Sequence, residues 1–285
     1  MAIPTGTADH QSTPSVNPPR PCRTERAEAR TLPLICLHGV PLHAISEVDT
    51  VRYVFQELEA GRGGWIVTHN LDHLRRRLKI QTFADLCEDA SVAVADGMPL
   101  VWASRLQGTP LPERVAGSNL ISSLSAAAAE TGRSVFLLGG AEGTADAAAE
   151  VLEARHPGLR IAGTHCPPRA FEDDPQEMSL LTERISVAAP DIVFVALGSP
   201  KQEQFIRLLR PKLPNAWWIG VGISFSFLCG DVKRAPAWMQ RIGLEWVHRL
   251  VQEPRRLARR YLIDDVPFAI RLLTSCAWQR IRNSR

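Results

Sequence analysis

The sequence predicts an α/β protein whose sheet is mostly parallel and flanked by helices. Two patterns carry that prediction. Short runs of Val, Ile, Leu, Phe and Ala alternate with longer stretches of helical period. The runs are apolar throughout, as strands buried on both faces of a parallel sheet are. A third pattern points the same way. Several runs end in Gly, Asp, Asn or Thr, where such sheets present their ligands.

In chain order, Leu34 to Leu37 reads as a short strand followed by a turn at His38-Gly39-Val40-Pro41. Ser46 to Leu58 reads as a helix, with Val48, Val51, Val54, Phe55 and Leu58 on one face. Trp65 to Thr68 is a strand ending in Thr68-His69-Asn70, and Asp72 to Leu86 reads as one helix. Ser91 to Ala95 is a buried strand ending in Asp96-Gly97, and Met98 to Gln107 a helix. Arg114-Val115-Ala116-Gly117 leads into a helix capped by Ser118 or Asn119 and running to Glu130. Ser134 to Leu138 is a strand whose turn, Gly139-Gly140-Ala141-Glu142-Gly143, opens a helix ending near His156. Leu159 to Ala162 is a strand, Met178 to Ala189 a helix, and Asp191 to Leu197 a strand. Gly198-Ser199-Pro200-Lys201-Gln202-Glu203 opens a helix to Leu209, and Trp217 to Val221 is a last strand. The arrangement is Rossmann-like, with right-handed crossovers.

Composition is that of an ordinary globular chain, 45% hydrophobic and 22% charged. It excludes a fibre, a disulfide-rich mini-protein and a chain disordered throughout. Charge is uneven. Residues 231–285 hold 12 Lys and Arg against 5 Asp and Glu, a net of +7, whereas residues 1–230 carry a net of −4. The expected organisation is a disordered segment over 1–33, an α/β catalytic domain over 34–230, and a basic amphipathic helical appendage over 231–285. Pro14, Pro18, Pro19 and Pro21 mark the first segment, which lacks the apolar stretch of about 7–15 residues of a secretory signal. No run reaches the roughly 18 apolar residues of a membrane-spanning helix. The six cysteines, Cys22, Cys36, Cys87, Cys166, Cys229 and Cys276, are scattered and read as reduced thiols of a cytosolic protein.

Three strand ends carry chemistry. Asp96 follows an apolar strand, where a carboxylate serves as general base or ligand, or caps the next helix. Thr68 and Asn70 pose the same choice between site and cap. The glycine turns at Gly139-Gly140 and Gly198 can present backbone N–H groups to a diphosphate. Neither is a Walker A loop or a full GxGxxG. His69 and His73 are four apart without an HExxH pattern, which favours solvated or supporting histidines over a metal site. His165-Cys166-Pro167-Pro168 reads as a rigid loop over a pocket.

Several segments together resemble the bacterial WecG/TagA/CpsF glycosyltransferases. They are Thr68-His69-Asn70, Ala95-Asp96-Gly97-Met98-Pro99, Glu113-Arg114-Val115-Ala116-Gly117, Phe136 to Gly140, and Gly198 to Glu203. Arg234-Ala235-Pro236, Gly243 to Leu250, and Glu253-Pro254-Arg255-Arg256 complete the set. The resemblance implies an inverting transferase that moves a sugar from a UDP-sugar to a polyprenyl-diphosphate-linked saccharide. It implies work at the cytoplasmic face of the plasma membrane without a metal or other cofactor. It places the catalytic base on Asp96 and the active site around Thr68, Asn70, Arg114 and Gln202. The turns at Gly139, Gly140 and Gly198, with Lys201, then serve substrate binding. The arginine-rich appendage is expected to meet the membrane and the diphosphate through Arg249, Arg255, Arg256, Arg259 and Arg260. Ser226 departs from the pattern, since many relatives carry an acidic residue in that segment.

An anionic membrane is the expected partner of the basic appendage, where arginines interleave with Trp246, Leu250, Leu257 and Tyr261. The alternative is a helical pair packed on the body with its arginines solvated. No nucleic-acid motif accompanies the charge. Self-association into a homo-oligomer is left open, as are the donor sugar and the final polymer. Two other functions compete: an NAD-type oxidoreductase, which lacks the full glycine fingerprint, and a sugar-nucleotide-binding protein without activity.

Overall fold

The computed structural model describes residues 32–283. Cys22 and the Pro14 to Pro21 stretch lie outside the described residues. The chain opens with β1 (Leu34–Leu37), β2 (Val40–His43), α1 (Glu47–Glu59), β3 (Gly64–His69), α2 (Leu71–Lys79), α3 (Gln81–Glu88) and β4 (Val92–Ala95). It continues with α4 (Met98–Gln107), α5 (Gly117–Thr131), β5 (Ser134–Gly139), α6 (Thr144–Arg155), β6 (Arg160–His165), α7 (Pro175–Ala188) and β7 (Ile192–Ala196). Then come α8 (Lys201–Leu209), β8 (Trp217–Gly220), α9 (Ser224–Cys229), α10 (Ala237–Arg241), α11 (Glu245–Gln252) and α12 (Pro254–Ala258). A π-helical segment, Arg259–Asp265, joins α12 to α13 (Val266–Asn283).

Six strands form one sheet in the order β4-β3-β8-β7-β5-β6, and every neighbouring pair is parallel. Alternate side chains feed two cores, as the twofold strand repeat requires. Ile66, Val94, Leu137, Phe194 and Ile219 face α1, α5 and α6 through Val54, Leu120, Leu124 and Leu152. Val67, Leu138, Val193, Val195 and Trp218 face α3, α7 and α8 through Phe83, Leu181, Ile185 and Ile206. The α/β prediction holds, and β3, β4, β5, β7 and β8 are buried along their whole length, whereas β6, at the sheet edge, is not.

Four local expectations need correction. The turn expected at His38 to Pro41 is tighter: His38 and Gly39 alone turn, at φ 51° and 81°. Val40–His43 returns as an antiparallel partner of β1, outside the main sheet. The signal was the alternation of buried Val40 and Leu42 with half-buried Pro41 and His43. The helix expected over Asp72 to Leu86 breaks at Ile80, which is extended. Leu74 packs with the β1–β2 hairpin, whereas Phe83 and Leu86 belong to the core beneath Trp65, and one straight helix does not reach both. Helix α5 starts at Gly117 with Ala116, which offers no capping side chain, at its N-cap rather than Ser118 or Asn119. His69 and His73 are buried, not solvated, with rings 6.0 Å apart edge to face.

A third core explains where the C-terminal segment sits. Leu272 and Cys276 of α13 pack with Leu100 and Ala103 of α4 and with Leu37, Val40 and Leu42 of the hairpin. One face of α13 is therefore docked on the body. Ile270, Trp278 and Ile281 remain exposed, as do Val251, Leu262 and Ile263. No described helix is long and apolar enough to cross a membrane.

Candidate active site

The carboxyl ends of β3, β4, β5, β7 and β8 open into one cavity of about 780 Å3. Thr68 and Asn70 reach it from β3, Asp96 from β4, Gly140 from β5, Ala196 to Ser199 from β7, and Gly220 to Gly222 from β8. Helices α10 and α11, α12 and its π-helical extension, and α13 close the far side with Gln240, Glu245, Arg249, Arg256, Arg260 and Asp265. The C-terminal segment thus supplies a wall of the cavity.

Asp96 is placed by backbone pairing. Its N–H donates to His69 O at 2.8 Å, continuing the β3–β4 ladder, and Val115 N–H donates to Ala95 O at 2.8 Å. The second bond lays Arg114 to Ala116 beside the end of β4. Gly117 N–H, at the start of α5, donates to Asp96 Oδ2 at 3.3 Å. Asp96 does not cap the helix that follows it; Gly97 occupies that position. Arg114 lies 3.8 Å from Asp96 Oδ1 and pairs with Glu245 Oε2 at 2.7 Å. Arg234 approaches the other oxygen of Glu245 at 3.7 Å and donates to Asn119 Oδ1 at 2.7 Å. Glu245 therefore sits between two arginines, one from the body and one from the start of the C-terminal segment.

Enclosure pushes the Asp96 carboxyl above its ordinary range; Arg114 opposes the rise and Glu245 adds to it. About 27% of its side-chain surface still meets the cavity, so a substrate reaches it. Asn70 both lines the cavity and caps α2, accepting from His73 N–H at 3.0 Å. Thr68 lines the cavity without capping a helix, its hydroxyl directed at Gly117. Gln202 is buried and doubly held: its Oε1 accepts from Gly222 N–H at 3.2 Å, and its Nε2 donates to Glu203 Oε1 at 2.8 Å. Any Cβ at Gly220 would stand 2.5 Å from Gln202 Nε2.

Residues 35–283 match the family described as Glycosyl transferase WecG/TagA/CpsF. The chain belongs to that family. Two relatives carry the name N-acetylglucosaminyldiphosphoundecaprenol N-acetyl-beta-D-mannosaminyltransferase. The protein of Bacillus subtilis (strain 168) is 32% identical over 225 residues, covering 78% of this chain and 85% of the relative. That of Bacillus spizizenii (strain ATCC 23059 / NRRL B-14472 / W23) is 35% identical over 213 residues, covering 75% and 80%. As a WecG/TagA/CpsF member the chain is a glycosyltransferase, and its relatives act on a lipid-linked saccharide.

In this WecG/TagA/CpsF chain, Thr68, Asn70, Asp96, Arg114, Gly140, Gly198, Gln202, Arg249, Arg256 and Arg260 share one cavity. Ser226 lies on the same wall. Lys201 is elsewhere: its ammonium pairs with Glu172 and sits 5.5 Å over the Phe171 ring. Gly139 lies beneath the cavity, where a Cβ would stand 2.8 Å from Ala196 O. Arg255 and Arg259 are exposed and do not line it. Arg260 is engaged by two carboxylates, Asp72 at 3.6 Å and Asp265 at 3.5 Å. The Nε of Arg249, like that of Arg260, is buried without a hydrogen-bond partner. Sequence reasoning missed Glu245, Asp72 and Asp265. Glu245 sat inside a quoted motif, but nothing local marks a helix's first-turn acid as a bridge to Arg114, 131 residues away.

Proposed function

We propose that this protein transfers a sugar from a UDP-sugar to a polyprenyl-diphosphate-linked saccharide, with Asp96 as general base. The observation that carries the reading is Asp96 itself, a carboxyl with raised proton affinity at the cavity floor, within 3.8 Å of Arg114. The acceptor hydroxyl attacks the anomeric carbon of the donor and gives its proton to Asp96. The new C–O bond forms as the bond to the diphosphate breaks, inverting the anomeric centre, and UDP leaves. A base of elevated pKa suits a hydroxyl proton.

Positive charge must meet the departing diphosphate. Arg249, with its unpartnered Nε, and Arg256, paired to Glu253 at 2.5 Å, serve that end of the cavity. Arg260 is already balanced by Asp72 and Asp265 and acts as a strut. Backbone N–H groups of the Gly140 and Gly198 turns add dipoles. The relatives' names supply the acceptor class, a saccharide on diphosphoundecaprenol. The exposed Trp278, Ile281, Ile263 and Leu262, among arginines, suit the surface of an anionic membrane on its cytoplasmic side.

The test is a transfer assay with a panel of UDP-sugars and N-acetylglucosaminyl-diphosphoprenol, with products identified by mass spectrometry. A disaccharide-lipid of inverted anomeric configuration supports the reading. Retention of configuration, or no product from any donor, defeats it.

A further inference from the structure

The cavity is chemically divided, and its second half is not explained by a sugar or a nucleotide. Met98 and Trp102 of α4 lie one turn apart, while Val266, Ala269, Ile270 and Leu273 of α13 recur at helical spacing. All six line the cavity. None carries a charge, and the indole N–H of Trp102 is the single polar side-chain group among them. The adjoining face of α13 is filled by the third core through Leu272 and Cys276, and Leu273 borders it. The stripe of Val266, Ala269 and Ile270 lies outside that core. It is an apolar surface held half-buried beside the polar site, with Ile270 59% exposed at its edge.

We infer that this trough between α4 and α13 takes the first isoprene units of the lipid-linked acceptor. The inference rests on the proposed transfer and adds a subsite to it. Three features favour an isoprenoid chain. A nucleobase or a sugar needs several in-plane or hydroxyl partners, and these six side chains offer one. A peptide would bury backbone N–H and C=O groups without partners, at a cost an alkyl chain avoids. The trough also lies in the same cavity as Asp96, so one acceptor molecule can present its hydroxyl to the carboxylate and its chain to the trough. At 780 Å3 the cavity has no room for a long prenyl chain beside the donor, so only the proximal end of the chain enters. The exposed Ile270 marks where the chain passes out towards the bilayer.

The experiment measures binding rather than turnover, so it is independent of the donor. Isopentenyl, geranyl and farnesyl diphosphate, each below its micellar concentration, are titrated calorimetrically into the full chain. The same series is run on Ala269→Phe, which fills the trough, and on Ile270→Asp, which charges its exposed edge without touching the core. The expected result is a gain of at least about tenfold in affinity from the five-carbon to the fifteen-carbon ligand, since each buried methylene contributes. In both variants that ratio collapses towards one. A ratio near one in the wild type, or an undiminished ratio in both variants, overturns the trough. Failure of even inorganic diphosphate and UDP to bind overturns the reading of the polar half, and this subsite with it.

Discussion

Asp96 and Glu245 set the chemistry at the scale of single residues. Asp96→Asn keeps the shape and removes the base, so turnover falls by at least ~100-fold while the melting temperature is retained. Near wild-type transfer by that variant is incompatible with the base assignment. The raised proton affinity of Asp96 fixes the sign of the acid limb. Turnover is lost as pH falls through a pKa above the ordinary Asp value, because the protonated carboxyl accepts no proton. Glu245 contributes to that elevation, so Glu245→Gln shifts the acid limb to lower pH, read from kcat against pH. A limb that stays in place would show that Glu245 does not act on Asp96. Gly220→Ala tests Gln202. The new methyl lands on Gln202 Nε2, so the variant loses the Gly222 and Glu203 bonds and its donor KM rises about tenfold or more. An unchanged KM would remove Gln202 from the donor site. Asp96, Thr68, Asn70 and Gln202 were legible because each interrupts an apolar strand end or its following turn. Lys201 was placed by adjacency in the motif, but helix α8 turns its side chain to Glu172.

The helices show what periodicity carries and what it does not. The strands and most helices were readable because buried strands are continuously apolar and helices keep one apolar face. The break at Ile80 was not, since no Gly or Pro marks it and only the different cores that receive Leu74 and Phe83 reveal it. The π-helical segment was equally hidden. Its wider turn brings Arg260 and Asp265, five apart, to within 3.5 Å, and both face Asp72 of α2. Arg75 joins the cluster, 2.6 Å from Asp72 and 3.6 Å from Asp265, and reaches Asp264 at 3.3 Å. Burial pushes the Asp265 carboxyl up to about 6, against Arg260 and Arg75 and with help from Asp72 and Asp264. A folded-state pKa above the unfolded one means the native chain holds the extra proton between about pH 4 and pH 6. Stability from this group is full below that window and is lost as pH rises through it, by about 1–3 kcal/mol. The stability of the wild type relative to Asp265→Asn therefore declines from pH 4 to pH 6 and levels above it, measured by denaturant melts. A relative stability that climbs over that window contradicts the sign.

Across the whole molecule, the C-terminal segment packs on the body, one of the two readings that the sequence set against each other, and leaves an apolar edge exposed. Its net charge was plain, but which apolar residues face inward was not, because docking partners come from α4 and the β1–β2 hairpin, far away in sequence. Leu257, Tyr261, Leu272 and Cys276 are buried, whereas Leu262, Ile263, Trp278 and Ile281 are exposed. Deleting the segment strips the cover from Leu37, Leu42 and Leu100, so a truncated chain tests folding as much as membrane contact. Paired substitution of exposed residues is cleaner. Trp278→Ser with Ile281→Ser leaves the third core intact and weakens flotation with anionic liposomes about tenfold or more, given the apolar area removed. Undiminished flotation would place the bilayer contact elsewhere.

Sheet order has a consequence for how this chain is born. The last strand to be synthesised, β8, lies in the middle of the sheet, between β3 and β7. Until Trp217 to Gly220 emerge, a nascent chain holds two separate half-sheets, each with an open parallel edge. Such edges are templates for wrong pairing. The central slot closes only when the ends of β3 and β7, 127 residues apart in sequence between His69 and Ala196, are joined by a third segment. Contacts of that range make folding slow. The wall of the cavity made by Gly220 to Gly222 is therefore the last that the sheet contributes, and the site is complete only after β8 has joined it.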